Sequence, residues 1–212
     1  WAKVHAYREG DSPLEGVERA LPAQKRGVRH QPALPWQAVP EFYRELRDDY
    51  ADINSARAFR FLILTAMRSA EVRLATWDEF DFPAKLWTVP AERMKMKKQH
   101  RVPLTDEAME LLSGGEGSAG EYVFPSPTRS RPLSENAFSA LMKRMNRSGF
   151  TAHGFRSSFR DWSSDNQAAS WEVVEAALAH ATGNRTERAY ARSDLFEVRR
   201  DLMQKWAAFV SG

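Results

Sequence analysis

The sequence predicts an α+β fold, mainly α-helical with one small antiparallel β-sheet. Apolar residues recur at helical spacing along most of the chain, while three short strand-like pieces, WDEFDF, LWTVP and HRVPL, lie close together between residues 77 and 104. The second and third pieces flank the basic run AERMKMKKQ, so that run reads as a β-hairpin tip.

Residues 1 to about 35 are mixed and turn-rich, and RHQPALPWQAVP carries three prolines that mark a linker. We therefore divide the chain into an appended piece, 1–35, and a main domain, 36–212. Helical period begins at Pro40, a favoured early helix position, and runs through EFYRELRDDY. SARAFRFLILTAM, from about Asn54, is apolar enough to be a central buried helix. Ser69 is placed to cap a short third helix, AEVRLAT. After the strands, Thr105 with Asp106 and Glu107 starts AMELL, because a capping hydroxyl and acids suit a helix N-terminus. The Gly/Ser-rich SGGEGSAGEY is a loop, and Ser134 starts ENAFSALMKRM. The last third reads as helices from Thr151 to about Asp165, Trp171 to His180, around Tyr190, and Leu195 to Val210.

A hydrophobic share of 42% and a charged share of 28% are those of a soluble globular chain. FLIL is soon followed by Arg68, so no apolar run reaches membrane-spanning length. No secretory signal is visible, and a chain starting at Trp1 reads as part of a longer protein. The absence of cysteine excludes disulfides, thiolate metal sites and a Cys nucleophile, and it suits the cytoplasm. Net charge is only +3, but RMKMKKQHR, from Arg93 to Arg101, holds five Lys/Arg and no acid. Lys143, Arg144, Arg147, Arg156 and Arg160 form a second basic group. Such patches suit a polyanion; the plain alternative is a solvated charged face.

In HGFRSSFRDW, Phe155, Phe159 and Trp162 form an apolar helical stripe, and His153, Arg156 and Arg160 form a second stripe on another face. An imidazole and a guanidinium at the start of one helix make a phosphate cradle, or simply the basic face of an amphipathic helix. Arg68 directly follows an apolar helix, so it needs either a salt bridge to Glu71 or an anionic ligand. His180 closes the apolar WEVVEAALAH, where a histidine often serves only the helix dipole. Tyr190, ten residues on, is by itself better explained by packing than by chemistry.

The order of these motifs is more specific than any one of them. TAMRSAEVRLATW, a basic hairpin ending in HRVPL, HGFRSSFRDW, and LAH followed by Tyr190 together resemble the tyrosine recombinases, with prophage and genomic-island integrases the nearest subgroup. The resemblance runs from about residue 31 to the C-terminus. It implies the tyrosine recombinase catalytic-domain fold, with residues 1–35 the tail of an N-terminal DNA-binding region. It also implies a catalytic set of Arg68, Lys95, His153, Arg156, His180 and the nucleophile Tyr190, supported by Glu71. Lys95 is placed by counting back from Pro103, with Lys97 and Lys98 the rivals if the register slips. Arg93, Lys97, Lys98, Arg101 and Arg160 are expected to contact DNA.

The implied activity is cleavage and rejoining of double-stranded DNA through a 3′-phosphotyrosyl link, integrating or excising a mobile element. The implied partners are attachment-site DNA, further copies of the chain in a tetramer, and accessory directionality or DNA-bending proteins. No metal or cofactor is expected, since the sequence has no HExxH, Cys/His cluster, EF-hand loop or GxxxxGK[ST]. The rival readings are a type IB topoisomerase and a catalytically silent DNA-binding regulator. In VRRDLMQKWAAFV, Leu202, Trp206 and Phe209/Val210 share one side, which either packs on its own domain or docks onto a neighbouring protomer.

Overall fold

The computed structural model describes His5, Tyr7 and residues 31–113, 121–127, 131–180 and 194–212. Tyr190, the helix expected around it and most of the Gly/Ser-rich loop lie outside the described residues. Residues Gln31–Gly212 form one compact unit and Trp1–His30 another.

The larger unit is mostly helical with a three-stranded antiparallel sheet. Its helices are α1 (Val39–Asp48), α2 (Asn54–Thr65), α3 (Ser69–Arg73), α4 (Asp106–Glu110), α5 (Ala137–Arg144), α6 (Phe155–Asp165), α7 (Trp171–Ala177) and α8 (Phe196–Ser211). Strands β1 (Phe80–Asp81), β2 (Leu86–Val89) and β3 (His100–Pro103) pair in the order β1-β2-β3.

Helix α2 is the central buried element its composition demands, with Phe59, Phe61, Leu62, Ile63 and Leu64 at most 1% exposed. It packs against α1, α3, α4, α5 and α8. At its end Ala66 adopts a left-handed conformation (φ 51°), which turns the chain outward so that Arg68 emerges from the core. The β2–β3 register sets Trp87 against Val102 and Val89 against His100, and Trp87, Val89 and Val102 face inward. Between these strands Met94 is buried while residues 95–99 are exposed. The basic segment is thus a loop tip anchored at its base by one apolar side chain.

Several element boundaries differ from expectation. Of WDEFDF only Phe80–Asp81 is strand; Trp77–Glu79 forms a 3-10 turn, and Trp77 N–H bonds instead to the Glu121 carbonyl. Arg68, not Ser69, is the N-cap of α3, because the Glu71 carboxylate accepts from the Arg68 N–H at 2.8 Å. Helix α5 starts at Ala137, after a turn in which Ala137 N–H bonds to the Ser134 carbonyl. Thr105 caps its helix as expected, accepting from Ala108 N–H, and Thr151 accepts likewise from Gly154 N–H. Arg147 does not belong to a free basic patch: Glu45 and Glu41 hold it at 2.7 and 3.3 Å.

Helix α8 packs on its own domain. Leu202, Trp206 and Val210 are at most 1% exposed, and Trp206 lies 5.4 Å from the Phe159 ring and 5.0 Å from Trp162. Its indole N–H donates to the Ile63 carbonyl at 2.8 Å. In the single chain this face is filled from within, as the core-packing alternative expects. Segment 31–34 crosses the start of α6, where a Cβ on Gly154 would meet the Pro32 carbonyl oxygen at 2.2 Å. Only glycine permits that approach.

Candidate active site

Two helix C-termini converge on one arginine. Every α-helix ends with carbonyls that lack intrahelical partners. Arg156, on the first turn of α6 and 3% exposed, donates from Nη1 to the Ala66 carbonyl at the end of α2. Its Nη2 donates to the Leu178 carbonyl at the end of α7. The negative ends of two helix dipoles thus hold a buried cation that would otherwise be costly. Burial, then repulsion from Arg68, pushes the Arg156 pKa down to about 10. It still carries a proton at neutral pH.

The turn after α7 fixes His180. Ala179 is left-handed (φ 50°), His180 N–H bonds back to the Glu175 carbonyl and Ala179 N–H to Ala176, which is a Schellman closure. The His180 ring then spans two partners, Glu175 Oε2 at 2.8 Å from Nδ1 and Arg156 Nη2 at 3.1 Å from Nε2. An arginine can only donate, so this network assigns Nε2 as acceptor and Nδ1–H as donor to Glu175. In the DNA-free geometry Nε2 therefore presents a lone pair toward Arg156. Burial holds the His180 pKa below the ordinary range, opposed by the Glu175 hydrogen bond.

Arg68 is tied to Glu71 twice, through its main-chain N–H and through Nη1 at 2.9 Å. Glu71 is 2% exposed and Arg68 20%, so the acid sits behind and the guanidinium faces outward. Of the two alternatives read from sequence, the salt bridge to Glu71 is present, and it orients Arg68. His153, in the 3-10 turn before α6, is exposed. Its pKa is lowered by partial burial and by the charges of Arg156, Arg68, His180 and Lys95. Those mutual influences bring Arg68, Lys95, His153, Arg156 and His180 into one electropositive cluster, with Glu71 and Glu175 turned to its back. Such a cluster repels itself unless an anion enters.

The residues expected on the DNA-facing surface divide. Lys95, Lys97 and Lys98 are exposed at the hairpin tip, where Lys97 Nζ donates to the Glu92 carbonyl at 3.2 Å. Arg93 is instead a structural tie: it pairs with Glu79 and donates to the Glu71 carbonyl, bracing the hairpin base against the Arg68 motif. Arg101, 42% exposed, pairs with Asp194 at 3.3 Å and lies 4.1 Å over the Phe196 ring. Arg160 is exposed and 3.7 Å from Glu175. Tyr190 lies outside the described residues.

Sequence reasoning missed Glu175, His100 and Arg199. Glu175 lies on the buried side of α7, five residues before His180, and an acid at a core-facing position was the available signal. A groove of about 510 Å³ beside His153 is lined by Ser69, Phe138, Met142, Phe150 and the acid Glu135. Its apolar walls and carboxylate do not suit a phosphate, so we place the anion seat at the cationic cluster instead.

The model of the phage integrase family matches residues 33–195. Prophage integrase IntA of Escherichia coli K12 is 36% identical over 195 residues, covering 88% of this chain and 46% of that protein. The integrase of Enterobacteria phage P4 is 33% identical, covering 94% of this chain and 49% of its own length. The chain spans about half the length of the curated relatives it matches. Among solved structures, the integrase from mycobacterium phage Brujita superimposes with a TM-score of 0.59 at 16% identity, over all of this chain and 72% of that one. At that identity the likeness speaks for the fold, the tyrosine recombinase catalytic fold.

Proposed function

The chain belongs to the phage integrase family, and from that premise we propose that it cuts and rejoins DNA through Tyr190, to integrate or excise a mobile element. One observation carries the reading: Arg68, Lys95, His153, Arg156 and His180 lie close enough to act on one another electrostatically, with Arg68 bonded to Glu71 and His180 to Glu175.

In the proposed reaction the Tyr190 hydroxyl attacks a scissile phosphorus while the bond to the 5′-oxygen breaks. Free tyrosine has a pKa of about 10, so the proton needs an acceptor. His153, held neutral by burial and by neighbouring cations, takes it. Lys95, on the exposed hairpin tip, gives a proton to the departing 5′-oxygen. Arg68 and Arg156 neutralise the non-bridging oxygens, and donors of this kind are each worth roughly 10²–10³ in rate. The incoming anion raises the His180 pKa, so Nε2 gains a proton and turns from acceptor to donor. The 3′-phosphotyrosyl link conserves the bond energy, and attack by a 5′-hydroxyl reverses the step without ATP.

In the same reading Lys97, Lys98 and Arg160 contact the DNA backbone, and residues 1–35 are the tail of a further DNA-binding region. The partners are double-stranded attachment sites, other copies in a tetramer, and accessory directionality or DNA-bending proteins; the compartment is the cytoplasm. Among the described residues no helix is long and apolar enough to cross a membrane.

The test is covalent trapping on DNA nicked beside the scissile phosphate, with EDTA present, for the wild type and Tyr190→Phe. An SDS-stable adduct that requires Tyr190 is the expected result. Adduct formation by Tyr190→Phe would sink the assignment of the nucleophile. DNA binding without any adduct would favour a silent regulator, and relaxation of plasmid lacking a specific site a topoisomerase.

A further inference from the structure

Arg199 is a buried cation that the proposed chemistry does not use. It sits on α8 and is 1% exposed, yet its guanidinium is fully engaged. Nε donates to the Asp194 carbonyl at 2.8 Å, Nη2 to the Asp194 carboxylate at 3.0 Å, and Nη1 to the Arg101 carbonyl on β3 at 2.6 Å. Arg101 closes the arrangement, pairing with the same Asp194 carboxylate at 3.3 Å and stacking over Phe196. Leu195, between Asp194 and the helix, is held left-handed at φ 55°, a conformation that costs free energy in a leucine.

Stability alone does not explain this choice of residue. A buried ion pair is often no more stable than an apolar side chain of similar size. What an arginine adds is direction: its planar fork fixes one point, here both the main chain and the side chain of Asp194, against one strand. Asp194 lies four residues after Tyr190. At roughly 3.5 Å per residue the chain itself cannot carry Tyr190 more than about 14 Å from Asp194, so fixing Asp194 limits the reach of Tyr190. Strand β3 also closes the hairpin that carries Lys95. The tether of the nucleophile and the base of the general-acid hairpin therefore share one strand.

We propose that Arg199 and Asp194 form a latch that fixes the downstream end of the tyrosine-bearing segment to β3, making Arg199 a positioning residue for cleavage. The catalytic consequence rests on the recombinase reading above; the latch itself does not. Asp194→Asn, at a half-exposed position, removes the charge with little risk to folding, and Arg199→Lys keeps the charge but loses the fork. Glu197→Gln, which breaks an exposed pair with Arg200 on the same helix, is the control.

Each full chain is measured for DNA affinity, melting temperature, rate of adduct formation on nicked DNA, and rate of tryptic cleavage after Arg188 and Arg192. A misplaced nucleophile costs roughly ten- to a hundredfold in rate, so both latch variants should slow adduct formation by that factor while DNA affinity stays within about twofold. Tryptic cleavage after Arg192 should accelerate several-fold, and Glu197→Gln should behave as wild type. A merely structural role would lower affinity and melting temperature together with rate, and that result overturns the proposal. So does an Asp194→Asn variant with wild-type adduct formation and wild-type proteolysis. If the wild type forms no adduct, the recombinase reading fails, and the tryptic arm alone decides the latch: faster cleavage upholds it, unchanged cleavage overturns it.

Discussion

His100 makes the stability of this fold depend on pH in a way that can be worked from its surroundings. It lies on β3, and its Nε2 is buried without a hydrogen-bond partner. Burial, followed by the charge of Arg199, pushes its pKa from 6.5 down to about 3; the Ala177 carbonyl acts in the opposite direction, and Arg156 and Arg68 lower it further. The unfolded chain protonates this histidine below its ordinary pKa, whereas the folded chain does not until far lower. The unfolded state then binds the extra proton, so stability rises with pH. His100 thus contributes its full stability above pH 6.5, and that contribution is lost progressively as pH falls toward 3. The slope approaches 1.36 kcal/mol per pH unit, which between pH 8 and pH 5 amounts to about 2 kcal/mol. Urea unfolding, followed by tryptophan fluorescence at both pH values, measures it for the wild type and His100→Gln. Other titrating groups are common to both proteins and cancel in the difference. The wild type should lose about 2 kcal/mol more than the variant over that range. Equal losses would refute the claim that His100 is held neutral by the fold.

Two further perturbations separate orientation from binding. Glu175→Gln keeps an acceptor for His180 Nδ1–H but removes the charge that raises the His180 pKa. Adduct formation should fall roughly tenfold or more, with its pH profile displaced to lower pH; an unmoved profile would show that Glu175 does not tune His180. Arg93→Gln leaves the buried Glu79 carboxylate without its counter-charge, held only by the Trp87 indole N–H, and should cost about 2–4 kcal/mol by denaturant unfolding, with the salt dependence of DNA binding unchanged. Lys98→Ala should do the opposite, retaining stability while reducing the slope of log Kd against log salt by about 1.

Much of this architecture was legible because its signals are local. The apolar run around Phe61, the Thr105 cap and the Arg68–Glu71 pair all join residues no more than four apart. The errors fall where a local preference met a distant competitor. Ser69 is a good capping residue, but Glu71 reaches back to Arg68 first. The partners of Arg93 and Arg101, Glu79 and Asp194, are 14 and 93 residues away, so no local pattern marks those pairs.

The sequence by itself determined the residue types, their order and the periodicity that sends Phe59, Phe155 and Trp206 inward. Those followed from the 3.6-residue repeat and from the cost of leaving large apolar surfaces in water. Only the tertiary structure decided which groups face the cationic cluster and which support it from behind. Arg156 is held by the carbonyls of Ala66 and Leu178, and Arg199 by those of Asp194 and Arg101. Every residue carries a carbonyl, so no side-chain pattern marks which one a buried guanidinium will find; that choice exists only once the helix ends have come together.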